Sequence, residues 1–208
     1  DCNAPGIGDY EVADVATAEA RERARSAARR QELAGRRNAS AERRKQLAEA
    51  LPKGERLVCY LDCGPEVADG RDGGPVVREL AGTPYVYGAG EAIVPPWYDD
   101  LTFDDREILY EVTGLDPHKR YKLGFSWWDH NNAGREQSVV ISAAGQQPEQ
   151  VLPKTKLPAW KDRQEKPAEL GVSLPQRLSA AGALRISFRN DSAAANAVVS
   201  EVWVIEGN

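Results

Sequence analysis

The residues best suited to chemistry in this chain are the run Trp127-Trp128-Asp129-His130-Asn131-Asn132. Two indoles supply flat apolar faces, and the residues after them supply short hydrogen-bonding groups. That combination suits a ligand with a face of C–H groups and an edge of hydroxyls, as a sugar ring has. Consecutive residues of a strand face opposite ways. Trp127, on the face of Tyr121, is therefore expected in a core, and Trp128 on the opposite surface with Lys122 and Ser126. The candidate ligand-binding residues are Trp128, Asp129, Asn131 and Asn132, with Tyr85, Tyr87, Trp97 and Tyr98 as candidate neighbours. The competing expectation is that another strand covers Trp128 and that Asn131-Asn132 only makes the turn.

Other chemistry is weaker. Asp99-Asp100-Leu-Thr-Phe-Asp104-Asp105 gathers oxygens of the kind calcium takes, without the spacing of an EF-hand. Glu91, Glu107 and Asp129 could pair as glycosidase carboxylates only if the fold brought them together. No Gly-x-Ser-x-Gly elbow, P-loop or metalloprotease helix occurs. Gly88-Ala-Gly90 is too short a glycine pattern for nucleotide binding. The chain reads as a non-enzyme with no cofactor. The three cysteines, Cys2, Cys59 and Cys63, all lie in the first third. Cys59 and Cys63 on one strand would sit about 13 Å apart, too far for a bridge without a turn. The open alternatives are a staple from Cys2 to one of them and three buried thiols. A zinc site is not expected, because His118 and His130 show no ligand spacing with the cysteines.

The elements that position these groups fall in two parts. From Gly54 onward, short apolar runs alternate with turn residues. Strands are expected over 56–62, 83–88, 107–113, 119–129, 137–142, 169–174, 183–189 and 198–205. Tyr121, Leu123, Phe125 and Trp127 alternate strictly. Leu184, Ile186 and Phe188 alternate with Arg185, Ser187 and Arg189, which gives that strand one wet face. Many short strands with turns between them imply a sandwich or jelly roll.

Residues 12–51 read instead as helix, rich in Ala, Arg and Glu. One helix is expected to stop at Gly35 and a second to start at Ser40 and end before Pro52 and Gly54. The apolar stripe is thin, so two expectations stand: a solvated charged linker, or an arm whose Ala-rich face packs on another protein. Arg21, Arg23, Arg25, Arg29, Arg30, Arg36, Arg37, Arg43, Arg44 and Lys45 make this arm basic, although the chain carries a net charge of −5. An acidic partner, a membrane surface or an anionic polymer would suit it. The charge as a whole argues against nucleic-acid binding, and no apolar run is long enough to span a bilayer. The sequence begins at Asp1 and has no Met, which suggests either a removed targeting segment or a start inside a longer product.

The segment Leu109-Tyr-Glu-Val-Thr-Gly-Leu-Asp-Pro-His-Lys-Arg-Tyr-Lys-Leu-Gly-Phe125 resembles the strand, Gly-Leu-Asp-Pro turn, strand unit of malectin-like and galactose-binding-domain-like sandwiches of the carbohydrate-binding-module type. Ala195-Asn-Ala-Val-Val-Ser-Glu-Val-Trp-Val-Ile205 is similar to their last strand, with its Asn-Ala-x-x-Ser pattern. The resemblance spans residues 56–206. It implies a fold, and a module that binds or assembles rather than catalyses, outside the cytoplasm (periplasmic, cell-surface or secreted). The family's sugar-contacting loop residues have no one-for-one match here.

The expected architecture is mainly β, a jelly-roll β-sandwich over 53–208 with an N-terminal helical arm over 1–52. The expected partner is a polysaccharide or glycan at the aromatic and carboxamide cluster. The alternative is an accessory subunit that meets the partner proteins of a larger complex through its arm.

Overall fold

The computed structural model describes residues 7–65, 74–86, 100–159, 167–193 and 195–207. In chain order the elements are α1 (Ile7–Glu49), β1 (Arg56–Asp62), β2 (Val76–Ala81), β3 (Thr83–Val86), β4 (Asp100–Asp104), β5 (Glu107–Thr113), β6 (Arg120–Trp127), β7 (Glu136–Ser142), β8 (Glu149–Lys156), β9 (Ala168–Ser173), a short α2 (Gln176–Ser179), β10 (Ala183–Asn190), β11 (Ala197–Val199) and β12 (Glu201–Gly207). The chain is a β-sandwich with an N-terminal helix. One sheet has the order β1-β12-β6-β9, the second β2-β5-β10-β7-β8, and a small third sheet β11-β4-β3. Every strand pairing in these sheets is antiparallel.

Alternation builds the core. Tyr121, Leu123, Phe125 and Trp127 of β6 are all buried, as are Leu184, Ile186 and Phe188 of β10. The two sheets meet where Phe188 packs edge-on against Phe125 at 5.1 Å and against Trp127 at 6.3 Å, the geometry that aromatic quadrupoles favour. The outward face of β10 is less wet than its alternation implies, because Ser187 is buried and donates to Glu107 Oε2 at 2.6 Å.

The structure corrects several expectations. The helix does not stop at Gly35 but runs unbroken to Glu49, because the good helix formers on either side outweigh one glycine, which costs about 1 kcal/mol. The single closing strand is two. At Ser200 the chain leaves the small sheet, where β11 pairs with β4, and enters the first sheet, where β12 pairs with β1 and β6. Ser200 N–H donates to Ser126 O at 2.9 Å, and Cys63 N–H to Ser200 O at 3.0 Å, so the crossing is pinned on both sides. Asp100 to Asp104 is β4, with Asp100 buried at its start. No disulfide joins Cys59 to Cys63. Cys63 is a buried thiol that accepts the Tyr110 hydroxyl at 3.2 Å. Cys2 lies outside the described residues.

The outer face of the first sheet carries the helix. Leu47 packs with Tyr60 and Trp203, and Leu57 and Ile205 lie against them. A Cβ at Gly124 would come within 2.0 Å of the Trp203 indole, so only glycine lets that ring lie flat across β6. The rest of the contact is polar. Arg43 reaches Glu201 at 2.8 and 3.2 Å and Glu169 at 2.6 Å, and Arg36 pairs with Asp100. The later half of the arm is therefore not a solvated linker: Arg36 and Arg43 meet acidic groups of its own sandwich. Thr17 to Glu32 is exposed on every side. No helix among the described residues is long and apolar enough to cross a membrane.

Candidate binding site

At the end of β6 the chain turns through Asp129–Arg135 into β7. Asp129 is buried and its carboxylate organises that turn. It accepts backbone N–H groups from Ala133 at 3.0 Å, Gly134 at 2.7 Å and Arg135 at 3.2 Å, and it pairs with the Arg135 guanidinium. Burial works against its charge, but these donors outweigh burial and hold the carboxyl below its ordinary range. Asn132 takes φ 57° and Gly134 φ 79°, left-handed conformations that these residue types tolerate. Asn132 thus serves the turn and stands exposed beside Asn131.

Arg135 is the hub that the sequence reading missed. Its Nη1 meets Asp129 and Asn131 Oδ1, and its Nε and Nη2 reach Asn196 Oδ1 at 3.2 and 2.7 Å. A guanidinium only donates, so both amides must turn their oxygens toward it. Their NH2 groups then face away, and among the described residues neither has a protein acceptor. With Asp129 opposite, the guanidinium adds no net charge. Asn196 is also the Asn of the Asn-Ala-x-x-Ser pattern, and that was the only sequence signal pointing here.

Two adjoining clefts share Arg135 and Asn196. One, of about 190 Å³, is lined by Tyr85, Leu101, Phe103, His130 and Val198 together with those two. The other, of about 520 Å³, continues past Asn131, Ala133, Asp105, Asn190 and Ser192. Tyr85 on β3 stands at the rim, 49% exposed, held edge-on against Phe103 at 5.9 Å. Asn190 and Ser192 spend their polar atoms on the chain itself: Asn190 donates to Asp105 O and Ala195 O, and Ser192 bridges the Glu136 backbone. The small sheet is tied to this end by buried Gln137, whose amide pairs with both backbone groups of Val198 at 2.9 and 2.7 Å.

Of the candidate residues from the sequence, the structure brings Tyr85 to the turn that carries Asp129, Asn131 and Asn132. Trp128 does not stand on the surface. It is 1% exposed, and its indole N–H donates to His130 Nε2. The His130 proton therefore sits on Nδ1, which donates to Trp128 O at 3.1 Å. The strand ends at Trp127, so the alternation that would turn Trp128 outward no longer applies. Tyr87, Trp97 and Tyr98 lie outside the described residues, as does Glu91 of the carboxylate trio. In the described part of the acidic run, Asp100 is taken by Arg36, and Asp104 caps the Arg106 and Glu107 amides at 2.8 and 3.0 Å. Among the described residues no group of three acidic, His or Cys side chains could hold a metal.

No family model matches this chain, and no curated protein matches it. Among solved structures, it is similar to TmCBM61 in complex with β-1,4-galactotriose, at 15% identity and a TM-score of 0.35, covering 65% of this chain and 90% of that one. It is also similar to the CBM22-1 xylan-binding domain of Paenibacillus barcinonensis Xyn10C, at 12% identity and a TM-score of 0.42, covering 76% and 99%. A Bacteroides uniformis β-glucuronidase gives 11% identity and a TM-score of 0.40, but this chain spans only 18% of that enzyme's length. TM-scores of this size leave the function to the chain's own residues.

Proposed function

We propose that this chain is a non-catalytic module that binds carbohydrate in the twin clefts around Arg135. The observation that carries this is the fixing of Asn131 and Asn196 by one charge-compensated guanidinium. It leaves two oriented amide donors lining a groove with a half-exposed tyrosine ring at its rim. A sugar supplies acceptor oxygens for the amides and a C–H face for the ring. Asn132 extends the amide surface, and Tyr87, Trp97 and Tyr98 remain part of the proposal as candidate aromatic neighbours. Trp128 supports the turn from behind. An extracytoplasmic setting belongs to the same proposal, as does the division into an arm over 1–52 and a sandwich over 53–208.

The test is a glycan array followed by calorimetry on the best ligand. Tyr85→Ala and Asn196→Ala are each expected to weaken binding tenfold or more, about 1.4 kcal/mol. Tyr85→Ala should melt close to the parent, and Asn196→Ala lower, because two donors of buried Arg135 lose their acceptor. A glycan bound equally well by the parent and both variants would sink the reading. The exposed stretch Thr17–Glu32 favours a second reading, an accessory subunit that meets partner proteins through its arm. A native mass equal to that of the monomer, unchanged by removing residues 1–32, would count against that one.

A further inference from the structure

At the other end of β6 lies a larger cleft, about 710 Å³, that the reading above does not use. Eight residues separate Arg120 from Trp127 inclusive, so the two ends of the strand stand roughly 23 Å apart. Lys53, His118 and Arg120 line this cleft around a floor that includes Leu174 and the Tyr121 ring. Among the described residues none of these three side chains has a carboxylate partner. The nearby carboxylates are already engaged. Glu55 takes Lys122 at 2.5 Å, and Glu206 takes Arg56 at 3.3 Å and Lys119 at 3.8 Å. Asp116 caps the His118 amide at 2.9 Å. Asp116 keeps its charge, but Lys53, Arg56, Lys119, Arg120 and Lys122 outnumber Glu55, Asp116 and Glu206 by two, so a chain with a net charge of −5 gathers a net positive cleft here.

Such an arrangement raises the local concentration of anions and is worth more in a concave, partly apolar site than on a flat surface. The volume falls in the range of organic ligands, about 300–1,000 Å³, and greatly exceeds that of one inorganic oxyanion. We propose that this cleft binds the carboxylate or sulfate groups of an acidic saccharide, at a site separate from the neutral clefts around Arg135. The choice of a saccharide as bearer of the anions rests on the proposed function; the anion recognition does not.

The experiment is calorimetry on the full chain with an oligogalacturonate, a neutral oligogalactose of equal length, and sulfate and phosphate alone, at low and at about 300 mM salt. The expected result is that the acidic oligomer binds, weakens several-fold at the higher salt as exposed charges are screened, and loses tenfold or more in Lys53→Ala/Arg120→Ala. Arg78→Ala/Arg185→Ala, an equal loss of charge on two strands of the other sheet, leaves it unchanged. Both altered groups are exposed, and circular dichroism melts check that the variants fold. Equal binding by the parent and the double variant, or no binding of the acidic oligomer at low salt, overturns the proposal. Phosphate alone binding as tightly as the oligomer overturns the saccharide assignment. The neutral oligomer reports on the Arg135 clefts independently, so failure of one site is distinguishable from failure of the other.

Discussion

Replacing Arg43 with alanine tests how the helix is held. Its guanidinium forks onto Glu201, with Nε 2.8 Å from Oε1 and Nη2 3.2 Å from Oε2, and Nη2 also meets Glu169 at 2.6 Å. Burial works against the Arg43 charge, but Glu201 and then Glu169 outweigh it and raise the guanidinium above its ordinary value. Glu201 has no exposed surface and also accepts Tyr60 Oη at 2.8 Å and Ser126 Oγ at 2.7 Å. Without Arg43, a carboxylate stays buried with two neutral donors and no countercharge. Removing one partner of a buried pair costs about 3–5 kcal/mol. At about 2–4 °C per kcal/mol for a domain of this size, the melting temperature should fall by roughly 6–20 °C. The assay is thermal and urea unfolding, with Arg43→Met/Glu201→Gln as the companion. That double variant removes both charges, keeps a polar partner for Tyr60 and Ser126, and should recover most of the loss. A loss below about 1 kcal/mol in Arg43→Ala, with no coupling in the cycle, would mean that the helix is not seated through this pair.

Three further outcomes are expected. Burial first, then the neighbouring Asp100 and Glu201, push the Asp62 carboxyl from 3.8 up to about 8; since the folded state holds this proton more tightly than the unfolded chain does, stability should fall as pH rises from about 4 to about 8. Asp62→Asn should flatten that slope in urea melts between pH 5 and 9. Asp129, by contrast, is held low, so its contribution is present above pH 4 and lost as pH falls through its folded value; Asp129→Ala should cost about 1.5–3 kcal/mol, and glycan binding should drop with it as Arg135 loses its anchor. Gly124→Ala sets a methyl against the Trp203 indole and should destabilise by about 1–3 kcal/mol, with a change in tryptophan emission that Gly171→Ala, where nothing lies within 4 Å, does not show.

The sequence by itself determined the sandwich. Period-two alternation in 120–127 and 183–190 marks residues that must bury one face, and burial does not depend on which strand comes to lie alongside. It also picked out Asp129, Asn131 and Asn132, which follow the end of a strand, and Tyr85 on another strand, which the fold brings to the same end of the sandwich. It did not reveal β2, β4 or β8. Val76–Ala81 and Glu149–Lys156 alternate poorly, and Asp100–Asp104 looks like a loop until Arg36 arrives to cover its buried acid. The docking of the helix was hidden for a related reason. Leu33, Arg36, Ser40, Arg43 and Leu47 share one face at helical spacing, and three of the five are polar, so a search for apolar periodicity sees a weak stripe. Their burial makes sense only once Asp100 and Glu201 are known to lie beneath them. Tertiary structure alone decided that Trp128 turns inward, because the strand stops at Trp127, two residues before its expected end. It alone brought Arg135 to Asn196, 61 residues away. Such a contact is set by how β7 and β11, strands of different sheets, are tied together where Gln137 pairs with Val198, and no local pattern encodes that.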